Sequence, residues 1–458
     1  MLRPLAFAAA LMLVWLAVPS IGTAAGDDIA PPAVDPAIAA AVAKVSAERL
    51  RTIDTRLVAF GTRNGFSETL HNSKRGVYAA RDWIAAQFRE SAKASGGRLT
   101  VDYDTFVSPK TDPRIPRDVE ISSVIATLKG DDPQRGLVIV SSHFDDCNSK
   151  CTDPVLDAPG ADDNGSAVSA VLETARVLAP LHFAATIVFI AFDGEDLGLL
   201  GSAHYAKSLK DRGAKVEIDV NNDIIGASVA HNGALFPNDV RLFSEALPSN
   251  ANLKRVNQIG SEDDSPSREV ARALKETGAV YVPSMHVNLI FRTDRFLRGG
   301  DQQSFTDLGF AGTRYVEQSE NYEHQHQTLR TENGIEYGDL IKFIDFDYLA
   351  RVTQLNVADV ATLASAPPAP DASLSARALG YDTTLEWKPA PEAASYEVVW
   401  RATYEPLWTH ARNVGNVMTY TFPNVSKDDW IFGVRAVDSV GHKSPAAYPQ
   451  PVRSASPT

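Results

Sequence analysis

A mixed, largely parallel α/β sheet sandwiched between helices, followed by a small all-β sandwich, is the architecture the sequence predicts. Three observations predict it. Apolar runs of strand length alternate with segments of helical spacing through residues 99–225, the pattern of a sheet covered on both faces. A Pro/Ala stretch, ASAPPAPDA at 364–372, then interrupts the chain. Beyond it the character changes to short β-type runs separated by turn residues. With 458 residues the chain exceeds one ordinary domain. It is read as a leader at 1–25, a main domain at 26–363, a linker at 364–372 and a second domain at 373–458.

The leader comes first. Arg3 precedes an apolar run at 5–18, and the small residues Gly22, Thr23, Ala24 and Ala25 precede Asp27 and Asp28. This is the pattern of a secretory signal peptide cleaved near Ala25. Its apolar core is shorter than the roughly 20 residues a membrane span requires, so the expectation is an exported protein, secreted or periplasmic, with no stable span after cleavage. The two cysteines, Cys147 and Cys151, share one loop. In an oxidising compartment they are expected to form a disulfide; the rival metal pair lacks further soft ligands nearby.

In the main domain, helical spacing covers 46–60 and 73–94, where Val77, Ala80, Trp83, Ile84 and Phe88 recur on one face. Strands are expected at 99–106, 119–128 and 137–142, then a helix at 166–178 and a strand at 185–192. A helix begins near Ser202, and 216–225 reads as a further strand. Residues 227–300 are less regular, with a helix around 270–277, and another helix is expected at 343–356. Past the linker, β-type runs occupy 383–387, 396–401, 419–422 and 431–437. The net charge of -13 is spread without a long acidic run, which argues against nucleic acid or anionic lipid as partner.

The chemistry concentrates after His143. A two-metal hydrolytic site needs a bridging carboxylate, further ligands on each ion, and a carboxylate to take a proton from a water. His143 follows an apolar strand, and Asp145, two residues on, is placed to accept the ring's other N–H. Asp163 lies in the Gly160-Ala-Asp-Asp-Asn-Gly-Ser turn before a helix. Glu195 and Asp196 follow the strand at 185–192, where adjacent acids repel unless a cation sits between them. Asp223 ends the next strand in Asn222-Asp-Ile-Ile-Gly. Asn321-Tyr-Glu-His-Gln-His-Gln offers a second histidine, either His326 or His324. Around them, Asp162 is read as structural, capping the following helix. Tyr322 is read as an oxyanion donor or a packing residue, and Glu317 as a pocket or scaffold residue. His71, His182, His204, His231 and His286 lack matching context.

These five motifs, in this order, resemble the co-catalytic zinc aminopeptidases, the bacterial leucyl aminopeptidase-like family of clan MH, over roughly residues 75–363. The resemblance implies two Zn2+ ions. His143, Asp163 and Asp223 would hold one. Asp163 would bridge to a second, held by Asp196 and His326, because the Gln-Thr run after His326 matches the family's His-Thr segment. Glu195 would be the general base. It also implies a cis peptide at Asp163-Asn164 and peptide substrates cleaved at the N-terminus. Carboxypeptidases and glutaminyl cyclases resemble the same scaffold, and a non-catalytic binding protein is a third reading. Two departures stand out: Asp196 replaces the family's Glu, and Gln302 in Arg298-Gly-Gly-Asp-Gln-Gln-Ser-Phe replaces a histidine. In the second domain, Trp387, the run Tyr396-Glu-Val-Val-Trp-Arg and the run 430–437 resemble a fibronectin type III domain. Such a module would dock a surface or protein partner, and deleting 366–458 is expected to spare activity on small substrates.

Overall fold

The computed structural model describes residues 28–70, 74–111, 113–247, 251–376 and 380–452. The leader read at 1–25 and His71 lie outside them. Eight strands build one sheet: β1 (Leu99–Ser108), β2 (Val119–Leu128), β3 (Leu137–His143), β4 (Thr186–Phe192), β5 (Val216–Asn222), β6 (Asp239–Ser244), β7 (His286–Ile290) and β8 (Gly312–Glu317). Their order is β1-β2-β4-β3-β5-β8-β6-β7. The β4-β3, β3-β5, β5-β8 and β6-β7 pairs are parallel, while β1-β2, β2-β4 and β6-β8 are antiparallel. The sheet is therefore mixed around a parallel centre, as expected.

Side-chain alternation along the central strands explains why helices cover both faces. Val138, Val140, Ile187, Phe189 and Ala191 point into one core with α2 (Ala47–Val58), α3 (Val77–Ala92), α4 (Ala167–Leu178) and α9 (Phe346–Ser365). Ile139, Val188, Ile190 and Phe192 point the other way, onto Tyr205, Ala206 and Leu209 of α5 (Leu200–Asp211) and Phe305 of α8 (Gln302–Thr306). Short α1 (Pro36–Val42) and α6 (Leu253–Ile259), and the longer α7 (Pro266–Tyr281), complete the helices. Local caps fix several starts: Ser46 Oγ accepts the Arg49 N–H, and Ser265 Oγ accepts the Arg268 N–H ahead of Pro266.

The structure corrects several sequence boundaries. The strand expected at 216–225 stops at Asn222, and the backbone turns through a positive φ at Ile224. Helix α9 runs to Ser365, into the expected linker, because Val360, Ala361 and Ala364 pack on the core. Strands β6 and β7 lie within the region read as irregular.

After a small hairpin, β9 (Arg330–Glu332) and β10 (Ile335–Tyr337), the remaining strands form two facing sheets. One has β11 (Ala372–Ser375), β12 (Thr383–Trp387), β15 (Thr419–Phe422) and β17 (Gln450–Val452). The other has β13 (Ser395–Ala402), β14 (His410–Gly415) and β16 (Trp430–Val437). Leu385, Trp387, Tyr396, Val398, Phe432 and Val434 fill the space between them. This sandwich does not hang free. Arg401 Nη2 lies 2.6 Å from Asp264 Oδ1, and Arg272 Nη1 lies 2.9 Å from the same atom. Trp408 Nε1 donates to Glu269 Oε2 at 2.9 Å, Arg272 also pairs with Glu269, and Arg435 Nη2 meets Glu276 Oε1 at 2.8 Å. Arg272, Asp264, Arg401 and Arg435 are all buried. The sandwich is thus docked along α7, and removing it would strand buried charge in the main domain.

Candidate active site

The parallel strands β4, β3, β5 and β8 run in the same direction, so their carboxyl ends share one edge of the sheet, where ligands gather in such folds. His143 is the last residue of β3, Glu195 and Asp196 follow β4, and Asp223 follows β5. Asp163 comes from the turn before α4, across a cis Asp163-Asn164 peptide. Asn164 joins that turn to the end of β5, donating from Nδ2 to the Asn222 carbonyl and accepting the Ile224 N–H.

The five expected ligand residues converge. His143 Nε2 lies 3.4 Å from Asp163 Oδ1 and 3.4 Å from Asp223 Oδ1. On the other side, His326 Nε2 lies 3.0 Å from Asp163 Oδ2 and 3.0 Å from Asp196 Oδ1. Asp163 thus presents one oxygen to each histidine. Glu195 comes close to His143 and Asp223, within 4.8 Å for the potential ligand atoms. His324 is excluded from this group: its ring stacks on Phe343 at 3.7 Å and meets Asn321. His326 holds a positive φ of 51°, a conformation that persists in non-glycine residues where surroundings over-determine it.

Asp145 does more than the sequence suggested. His143 Nδ1 meets the Asp145 carbonyl oxygen at 3.1 Å, with the carboxylate farther away at 3.5 Å. A carbonyl only accepts, so Nδ1 carries the proton and Nε2 is free to face the carboxylates. The Asp145 carboxylate instead accepts the N–H groups of Glu195 and Asp196, both at 3.1 Å.

Electrostatics fit a site built for cations. Burial disfavours a charged His143, yet Asp223 and Glu195 raise its pKa well above the usual imidazole value. Asp196 and Asp163 do the same to His326. Burial works against Asp163 and Asp223, but His326 lowers the first and Arg314 the second. Burial, reinforced by Asp223 and Asp196, pushes Glu195 well above the ordinary carboxylate range. Among the described residues, buried Asp196 Oδ2 has no hydrogen-bond partner, and Asp223 Oδ1 has none beyond its 3.4 Å approach to His143. Two imidazoles and three carboxylates, with an oxygen left unpaired in a buried site, are the donor set that zinc takes.

The profile of peptidase family M28 matches residues 123–346. A probable zinc metalloprotease of Leptosphaeria maculans is 43% identical over 92% of this chain and 98% of its own length. The chain belongs to peptidase family M28. Among solved structures, the LapA aminopeptidase of Legionella pneumophila superposes with a TM-score of 0.52 at 20% identity, covering 74% of this chain and 77% of that one. The glutaminyl cyclase of Macrostomum lignano gives 0.51 at 15% identity, covering 72% and 93%. Both likenesses concern the fold.

Several residues of this M28 site escaped the sequence reading. Arg63 is fully buried, with Nε donating to Phe144 O at 2.7 Å, Nη1 to Pro159 O at 2.7 Å and Nη2 to Gly160 O at 2.8 Å. It also pairs with Asp146 at 3.2 Å. It therefore joins the loop after His143 to the turn carrying Asp163. Gly160, at φ +52°, has no room for a side chain: a Cβ would sit 2.5 Å from Arg63 Nη2. Asp339 accepts the N–H groups of Asp162 and Asp163, the latter at 2.7 Å. Arg314 pairs with Asp223 and reaches Asp294 at 2.6 Å. Gln302, where the family has histidine, donates to Asp294 at 3.0 Å and so belongs to the support behind Asp223.

Asp162 and Glu317 both serve as scaffold. Asp162 does not cap α4; its Oδ1 accepts the Gly226 N–H at 2.7 Å. Glu317 is buried away from the cleft, accepting the Ala227 N–H at 2.8 Å. Burial and the adjacent Asp162 carboxyl raise its pKa well above normal. Tyr322 is largely exposed. Cys147 and Cys151 form the expected disulfide.

Proposed function

We propose that the protein is an exported di-zinc aminopeptidase that removes N-terminal residues from peptides. The single observation that carries the reading is Asp163, whose two oxygens face two different histidines. His143, Asp163 and Asp223 would hold one zinc, and Asp163, Asp196 and His326 the other. When bound, the ions supply Lewis acidity, which acidifies a water and polarises the scissile carbonyl. Glu195 takes the proton from the attacking water and returns it to the leaving amine. Its raised pKa suits a group that must hold a proton between those events. Asp145 is a positioning residue that holds both the His143 ring and the Glu195-Asp196 backbone. The free α-amine of a substrate would pair with carboxylates at the cleft floor.

The leader at 1–25 supports export, and no helix among the described residues is long and apolar enough to cross a membrane. The sandwich is read as a fibronectin type III-like module that docks a surface or protein partner. A second reading, glutaminyl-cyclase chemistry, draws on the fold shared with the Macrostomum lignano enzyme. Metal analysis with a peptide panel tests both. Two zincs per chain and turnover of peptides with free N-termini are expected. Selective cyclisation of N-terminal Gln, or release of only C-terminal residues, would replace this reading.

A further inference from the structure

The cleft above the candidate metal centre has a volume of about 350 Å³. Its floor is acidic, formed by Asp163, Glu195, Asp196 and Asp223, while its rim carries Arg114, Arg295 and Arg298. Three guanidiniums around one opening stand against a chain whose net charge is -13. The floor acts on Arg295 through Asp223, but its ion pairs run to the two histidines and Arg314 and leave Arg114 and Arg298 unaccounted for.

The three arginines differ in commitment. Arg295 is buried between Asp294, at 2.9 Å, and Glu320, so it is scaffold. Arg298 touches the same Glu320 at 3.2 Å, shares it with Arg295 and Arg241, and remains a third exposed. Arg114 is exposed, with no ion pair or hydrogen bond among the described residues. Its guanidinium lies over Gly198, three residues past Glu195, where a Cβ would come within 3.4 Å of Nη1. That is an ordinary contact distance, so the guanidinium packs against the base loop, where glycine answers to a φ of +115°.

We propose that Arg114 and Arg298 form a subsite that binds a substrate carboxylate near the scissile bond. The inference rests on the peptide-cleaving reading of the cleft. Guanidinium–carboxylate pairing is the strongest match such a rim offers. A diffuse negative field would otherwise turn acidic substrates away. The carboxylate has two possible sources, an acidic side chain or the free C-terminus of a very short peptide. The cleft sits near the lower end of small-ligand pocket volumes, so a group one residue from the bond lies within reach of its mouth.

The test uses the full chain loaded with zinc and four dipeptide substrates: Leu-Gly amide, Leu-Gly free acid, Leu-Asp amide and Leu-Lys amide. The proposal expects kcat/KM for at least one anionic substrate to exceed that for Leu-Gly amide about tenfold, mainly through KM. The free acid and Leu-Asp amide arms separate the two carboxylate sources. In Arg114→Gln and Arg298→Gln that ratio should fall towards one, and Arg298→Lys should restore part of it. Because the readout is a ratio within each variant, partial misfolding does not imitate the result. Equal rates for neutral and anionic substrates, preference for Leu-Lys amide, or an unchanged ratio in both Gln variants would overturn the proposal. If no dipeptide is turned over, the aminopeptidase reading fails separately. Calorimetric binding of Leu-Gly free acid, Leu-Asp amide and Leu-Gly amide then reads the subsite alone. Tighter binding of an anionic peptide, lost in the Gln variants, sustains it, and equal binding rejects it.

Discussion

Two of the places where the molecule buries charge, the cleft at the sheet edge and the seam between α7 and the sandwich, treat it oppositely. In the seam each carboxylate meets a guanidinium: Asp264 has Arg272 and Arg401, Glu276 has Arg435. In the cleft, four carboxylates and two imidazoles crowd together with Arg314 as the one guanidinium paired to a floor carboxylate among the described residues. Buried charge is costly unless paired. The seam meets that cost from within the chain and serves docking. The cleft meets it only in part, through Arg314 and two imidazoles, as a site for divalent cations must.

The largest break in this contrast should come from Glu195→Gln. It is expected to lower kcat by about 10²- to 10⁴-fold while zinc content by metal analysis stays at wild type. Near-normal turnover would remove Glu195 from the base role. In the seam, Arg272→Met leaves Asp264 and Glu269 buried beside fewer cations. A loss of about 3–5 kcal/mol is expected in urea unfolding, with kcat per folded molecule little changed. A loss of kcat without a loss of stability would mean that the seam belongs to the catalytic machinery.

Metal and pH sharpen the same comparison. His143 and His326 have raised pKa values in the metal-free site. Metal must displace their protons, so zinc affinity should rise as pH climbs from about 6.5 through those raised values. Each zinc displaces one imidazole proton, so the slope should approach about tenfold per pH unit for each ion while its ring is protonated. The imidazolium pairs stabilise the metal-free fold below the ordinary imidazole pKa, and that contribution is lost as pH rises through the raised values. The Tm gap between zinc-loaded and metal-free protein should therefore widen with pH; a constant gap would contradict the proton competition. The smallest effect is expected from Asp196→Glu. One added methylene should change the affinity of the zinc that Asp196 and His326 would hold by less than about tenfold in competition with a chelator.

Most of the parts of this site that the sequence disclosed lie at or just after the end of an apolar run. His143, Glu195 and Asp223 follow strands whose two-faced burial makes them readable. Asp163 announces itself through its glycines. The supporting residues carried no such mark. Arg63 sits in a short turn and Asp339 in an irregular loop, and each acts on backbone groups from distant parts of the chain. Arg314 left a trace, a charge inside the otherwise readable run Gly312–Glu317, whose meaning depended on which strand lay beside it. The docking across the linker was hidden for a similar reason. Pro-rich composition signals a break in secondary structure, and it does not report that Arg401 and Arg435 reach back into α7.

The segment between β8 and α9 supplies His326 to two aspartates and Asp339 to the backbone of the Asp163 turn, and Thr328 meets Ser149 at 2.6 Å. A loop fastened at those points cannot lift without unmaking the cleft. A cation held between His326 and its aspartates would act as a clasp for some thirty residues of chain as well as a reagent. Stripping it should leave that span the first stretch an outside protease can nick, so the enzyme's cofactor also guards it from its own kind.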